Sequence, residues 1–197
     1  MTNEERSQAP SLIAYELETL YHQSTLLYHA KKQMSIGNEM DMWRTIHTAA
    51  LESFLVHYRC LKDFLNNVKH KDDDVLGLHY AQTWNGNDNV PKAYDNEKAR
   101  LDKLLAHISY KREELGRGAW ERLREMEANI TKVFERYLKE VNQTDVHSFT
   151  RIHALVNERN RIYEARTAVV QGRESVFANS TATIRTYEGW WLPYDCH

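Results

Sequence analysis

The run from Glu39 to Val68 contains neither Gly nor Pro, and its apolar residues recur at a helical period. Trp43, Ala50, Phe54, Leu61, Phe64, Leu65 and Val68 fall on one side of that helix, while Leu51, Leu55, Val56 and Cys60 add apolar character around the rest of it. A helix that is apolar over most of its girth belongs at the centre of a bundle, packed on more than one side. The rest of the chain has to supply its neighbours.

Only 7 Gly and 3 Pro occur in 197 residues, which is too little punctuation for the many short strands of an all-β fold. A length of 197 residues with 42% hydrophobic residues suits one sizeable core and is short for two. The expectation is an all-α fold, a single-domain bundle of about five to six helices spanning 1–197.

Four further helices complete this reading. A first helix over 11–35 carries Leu12, Tyr15, Leu20, Leu26, Leu27 and Ala30, and breaks at Ile36, Gly37 and Asn38. Asp95 suits the N-cap of a helix over 96–115, whose stripe is Leu101, Leu104, Leu105 and Ile108. Beyond Gly116 and Gly118, a helix over 119–141 has Leu123, Met126, Ile130, Val133, Phe134, Tyr137, Leu138 and Val141 as its core side. The stretch 149–170 makes one or two helices through Ile152, Leu155, Val156, Ile162, Tyr163 and Val169.

Two segments lack a period. The connection 69–95 contains Gly77, Gly86 and Pro91, and a structureless connection of that length is usually functional or mobile. The tail 172–197 is aromatic-rich and ends near Trp190, Trp191 and Pro193, which suits covering part of the bundle or a neighbouring subunit.

The formal net charge of −2 and a pI near 6.6 leave no global positive field for nucleic acid, although a local basic patch stays open. Cys60 and Cys196 have no CxxC partner, which fits a reducing compartment and no thiol-based metal site. The start MTNEERSQAPS lacks a signal-peptide core, and no long apolar run suggests a membrane span, so the expected location is cytoplasmic.

Chemistry concentrates on two helices. In the third, His107 sits at the flank of the buried stripe, with Arg100 seven residues earlier on nearly the same line. Lys103, Tyr110 and Lys111 adjoin it along the helix. An Arg that holds a phosphate beside a His that moves a proton suits metal-independent RNA cleavage, since the RNA 2′-hydroxyl supplies the nucleophile. A solvated helix flank explains the same residues.

In the second helix, Glu52, Arg59 and Asp63 share one narrow line opposite the main apolar face. Arg59 and Asp63 are spaced to pair, and Glu52 has to find its partner on another helix. The line is an interhelical ion network, an exposed charged strip or a catalytic carboxylate in a cleft. His47 and His57 flank the apolar side and are expected to be partly buried and hydrogen-bonded.

Asp72, Asp73 and Asp74 lack the EF-hand order and suit capping or solvation. With no HExxH, no Glu-x-x-His, no GxGxxG and no GxxxxGK[ST], neither a metal nor a cofactor is expected.

The segments AALESFLVHYRCLKDFL (49–65), DDDV (72–75) and LLAHISYKR (104–112) resemble a set of uncharacterised bacterial all-helical proteins over roughly 45–112. That set shares an "LEAFL-x-H/Y-R-x-L-x-DFL" helix, a "DDV" turn and an "AHLTY-x-R" helix. Arg100, six intervening residues and His107 also resemble the Arg and His pair of HEPN domains, although Leu101 stands where those ribonucleases often have a polar residue. The HEPN likeness implies an up-and-down bundle and a homodimer whose paired Arg and His line a shared cleft.

Three functions are open at this point. The first is a bacterial interaction or regulatory module without catalysis, with Tyr80, Trp84 and Tyr94 of the long connection as a surface for a protein partner. The second is a ribonuclease using His107 and Arg100, supported by Glu52, Arg59, Tyr110 and Arg112, with RNA as its partner. The third is a small-molecule site between helices two and three, lined by His47, Glu52, Arg59 and His107.

Overall fold

A computed structural model of the chain describes residues 3–37, 39–86 and 119–170. Every regular element among these residues is helical, and the fold is all-α. Two compact units divide the chain, Met1–Val156 and Asn157–His197. The expected helix over 96–115 and the tail 172–197 lie outside the described residues.

Helix α1 covers Asn3–Ser35 and runs through Pro10, so it starts before Ser11, the expected boundary. Proline has no N–H, which leaves the carbonyl four residues back without its helical donor. That carbonyl belongs to Arg6, and the Tyr80 hydroxyl donates to it at 2.8 Å. A side chain distant in sequence thus replaces the bond that Pro10 removes, and the helix continues.

The buried face of α1 is the row Ile13, Leu17, Leu20, Tyr21, Ser24 and Leu27. Of the apolar residues that marked this helix in the sequence, Leu12, Tyr15 and Leu26 are exposed. Two apolar rows share this helix on opposite sides, and only one of them can face the other helices.

Helix α2 covers Met40–Leu65, begins at Glu39 in the left-handed region (φ 38) and packs against α1 and α3 (Ala119–Glu140). Its core residues are Ala50, Phe54, Leu55, Tyr58, Leu61, Phe64 and Leu65. Val56 and Cys60 are exposed, so its girth is less completely enclosed than the composition suggested.

The helix ends three residues before the expected Val68 because Asn67 turns left-handed, with φ 54. Val68 N–H donates to Asp63 O at 2.9 Å and Asn67 N–H to Phe64 O at 3.3 Å, the paired bonds of a Schellman motif.

The segment 66–86 after α2 packs into the fold. It contains a 3-10 turn, Gly77–His79, and sends Leu76, Tyr80, Ala81 and Trp84 into the core. Asn67 clamps this segment: its Oδ1 accepts Leu78 N–H at 2.8 Å and its Nδ2 donates to Trp84 O at 3.3 Å. The Trp84 indole N–H donates to Leu65 O at 2.6 Å, covering a carbonyl left open at the end of α2. A Cβ on Gly86 would lie 2.4 Å from the Asn66 carbonyl carbon, so only glycine fits there.

Helix α3 buries Leu123, Met126, Ile130, Val133, Phe134, Tyr137 and Leu138, and Val141 follows it into the core, all as expected. Tyr137 meets Phe64, Trp84 and Phe149 with ring centroids 5.3, 5.1 and 6.0 Å away, and its hydroxyl donates to Gly77 O at 3.1 Å. Between α1 and α3 a polar row pins the register. Tyr21 Oη lies 2.9 Å from Thr131 Oγ1, and the Ser24 hydroxyl donates to the carboxylate of Glu127, which is 1% exposed.

A second 3-10 turn, Val146–Phe149, leads into α4, Thr150–Val170, which is one helix rather than two. In the second unit, the Arg159 guanidinium lies 5.5 Å from the Tyr163 ring centroid.

Candidate functional site

His107, Arg100, Tyr110 and Arg112, the expected RNA-cleaving strip, lie outside the described residues. Glu52 is half-buried on α2, and Arg59 is exposed. Arg59 Nε lies 3.8 Å from Asp63 Oδ2, the expected pairing, and His70 Nε2 reaches the same oxygen at 3.2 Å. This pair lies at the surface on its Arg59 side, while Asp63 is half-buried.

His57 is half-buried and donates from Nδ1 to Glu16 Oε2 at 2.6 Å, with the Tyr15 ring edge-on at 5.9 Å. His47 is half-buried too, and burial, with Lys31 nearby, lowers its pKa. Cys60 is exposed as a residue, but desolvation of its thiol, then Glu16 and Asp63, raise its pKa and disfavour the nucleophilic thiolate.

In the acidic turn, Asp74 accepts the N–H groups of Lys71 and His70 at 2.7 and 2.6 Å, which lowers its pKa; it closes the turn behind it and does not cap the 3-10 turn that follows, whose N-cap is Leu76. Among the described residues no group of three or more His, Cys, Asp or Glu is placed to hold a metal ion.

Of the surface expected on the long connection, the two described residues are buried. Tyr80 is 0% and Trp84 5% exposed, and both serve the core; Tyr94 lies outside the described residues. Burial raises the Tyr80 hydroxyl to about 12, so it remains a donor to Arg6 O at neutral pH. The Arg6 guanidinium covers the Tyr80 ring at 5.4 Å and pairs with Asp145 at 2.9 Å, which fastens the start of α1 to the turn before α4.

Among the described residues, exposed large apolar side chains lie on α1 and also at Ile36, Met40, Met42, Val56, Val68, Leu78 and Val146. Leu12 is 62%, Tyr15 56% and Leu26 37% exposed. With Thr19 and His22 they form the row 12, 15, 19, 22, 26, whose alternating steps of three and four residues trace one helix face. Gln8 extends the row by one turn.

No Lys, Arg, Asp or Glu belongs to this row, in a chain that is 27% charged. The acidic residues at its margins are engaged within the molecule, Glu16 by His57 and Glu18 by Arg151. An aromatic and two leucines on a face without formal charge have the composition of an interface centre rather than of a solvated helix side.

The sequence carried this signal, since the two rows of α1 are both legible in it. What it could not say is which row faces inward. Ser24, the member that breaks the apolarity of the inner row, finds its partner on α3. No family model, characterised protein or solved structure matches the chain.

Proposed function

We propose that the protein is a helical interaction module that binds a protein partner through the outward row of α1. The observation that carries this reading is the uncharged, partly apolar row of Leu12, Tyr15, Thr19, His22 and Leu26. Covering the exposed parts of Leu12, Tyr15 and Leu26 contributes on the order of 3–5 kcal/mol. That is the scale of a hot spot, which the polar members of the row surround and orient.

The face is preorganised, because Tyr15 rests on His57 and His57 is held by Glu16. The test is site-specific photo-crosslinking in cells, with a photoreactive phenylalanine analogue in place of Tyr15 or of Lys132, an exposed residue of α3. Discrete protein adducts from position 15 and none from position 132 are expected. Equal or absent crosslinking at the two positions contradicts the reading.

A further inference from the structure

The spacing of the row and the charges at the two ends of α1 identify what covers it: we infer that a second copy of this chain docks there, with the two α1 helices antiparallel. The inference rests on the reading of that face as an interaction surface and names its occupant. A two-fold interface requires a surface that is complementary to itself, so that residue i meets j and j meets i.

The row meets that requirement. A two-fold axis between Thr19 and His22 sets Tyr15 of each copy against Leu26 of the other, and Thr19 against His22, in successive layers of the two helices. Tyr15 and Leu26 then meet in both inner layers, Leu12 meets His29 one layer further out, and the small Thr19 lies at the crossing, where the helices approach most closely.

Charge agrees with this direction: the first turn of α1 carries Glu4 and Glu5, and the last turn carries Lys32, about 120° round the helix from the row. Antiparallel helices bring acidic ends to basic ends, whereas parallel helices bring like ends together. Between those ends the row is free of formal charge, so no like-charge pair opposes the approach. The alternative of a lipid surface is disfavoured, because the row lacks the flanking basic residues by which an amphipathic helix holds anionic headgroups.

The experiment is sedimentation velocity of the full chain over a concentration series, for the wild type, Tyr15→Glu, Leu26→Lys and the double variant, with circular dichroism as the check on folding. Both substitutions fall on exposed positions, so the helix content is expected to be unchanged. The wild type is expected to dimerise, and each single substitution to weaken dimerisation by about 100-fold. The double substitution is expected to recover most of the loss, because it sets the two introduced charges against each other across both layers.

A wild type that stays monomeric overturns the inference, as do single variants that dimerise normally. A double variant no tighter than the singles overturns the antiparallel pairing. The position-15 crosslink separates this failure from that of the broader reading: an adduct with a different protein removes self-association and leaves the interaction face intact. An adduct with twice the mass of the chain supports the second copy.

Discussion

The segment 66–86 and the outward row of α1 have exchanged the roles that their sequences suggest. The segment has no periodicity and two glycines, yet Tyr80 and Trp84 are among the buried residues of the core. The α1 row lies on a regular helix and includes two leucines and a tyrosine, yet it faces solvent. Apolar content alone therefore does not determine burial. Directional polar bonds commit the segment to the interior: Trp84 to Leu65 O, Tyr80 to Arg6 O, and Asn142 N–H to Tyr80 O at 2.8 Å. Among the described residues no such bond holds the outer row of α1 to the core.

The largest effect that this contrast predicts is at Trp84. Trp84→Ala removes a buried ring and uncovers the Leu65 carbonyl, and is expected to cost about 3–5 kcal/mol in urea unfolding. Leu12→Ser, on the exposed row, is expected to change the stability of the monomer by no more than about 0.5 kcal/mol. Similar losses at the two positions would erase the distinction between the regions.

Next in size is the repair of Pro10. Tyr80→Phe leaves Arg6 O without a donor and is expected to cost about 1–3 kcal/mol. Pro10→Ala supplies a backbone N–H to the same carbonyl, so it is expected to soften the Tyr80→Phe loss. Additive effects in that double-mutant cycle would show that the hydroxyl does not compensate for the proline.

Asn67 separates conformation from clamping. Asn67→Gly keeps the left-handed turn and loses only the two amide bonds, whereas Asn67→Ala loses both, and is expected to be less stable than the Gly variant by about 1 kcal/mol. Equal stabilities of the two variants would mean that the left-handed conformation carries no cost there.

The smallest effect is a pH dependence in the same segment. His79 Nδ1 accepts Leu76 N–H at 3.1 Å, so the imidazole is held neutral, and burial followed by the nearby N-terminus, Arg6 and Lys69 lowers its pKa below 6.5. The unfolded chain then takes up the proton first as pH falls. The contribution of His79 to stability is therefore present above 6.5 and is lost progressively below it. NMR titration is expected to give a His79 midpoint below 6.5; a midpoint above that value contradicts the assignment.

The elements differed in how far sequence revealed them for one physical reason. Helix α3 was legible down to individual residues, because its apolar positions form a single stripe from Leu123 to Val141 and its other sides are polar. Helix α1 was legible as a helix but not as an orientation, since Leu12 and Leu17 are equally apolar and the choice between their rows is made by α2 and α3. The order in 66–86 depends on bonds between residues far apart in sequence, which leave no local pattern. Of the expected site residues, Arg59 and Asp63 pair as their spacing indicated, and His57 found a partner, Glu16, that only the packing of α1 on α2 supplies.

The exchange of roles between the two regions is tested most directly by hydroxyl-radical footprinting of the full chain across a concentration series. Tyr80 and Trp84 are expected to be protected at every concentration, while Leu12, Tyr15 and Leu26 become protected as concentration rises. Ready oxidation of Trp84, or reactivity of the α1 row that does not change with concentration, would contradict the account.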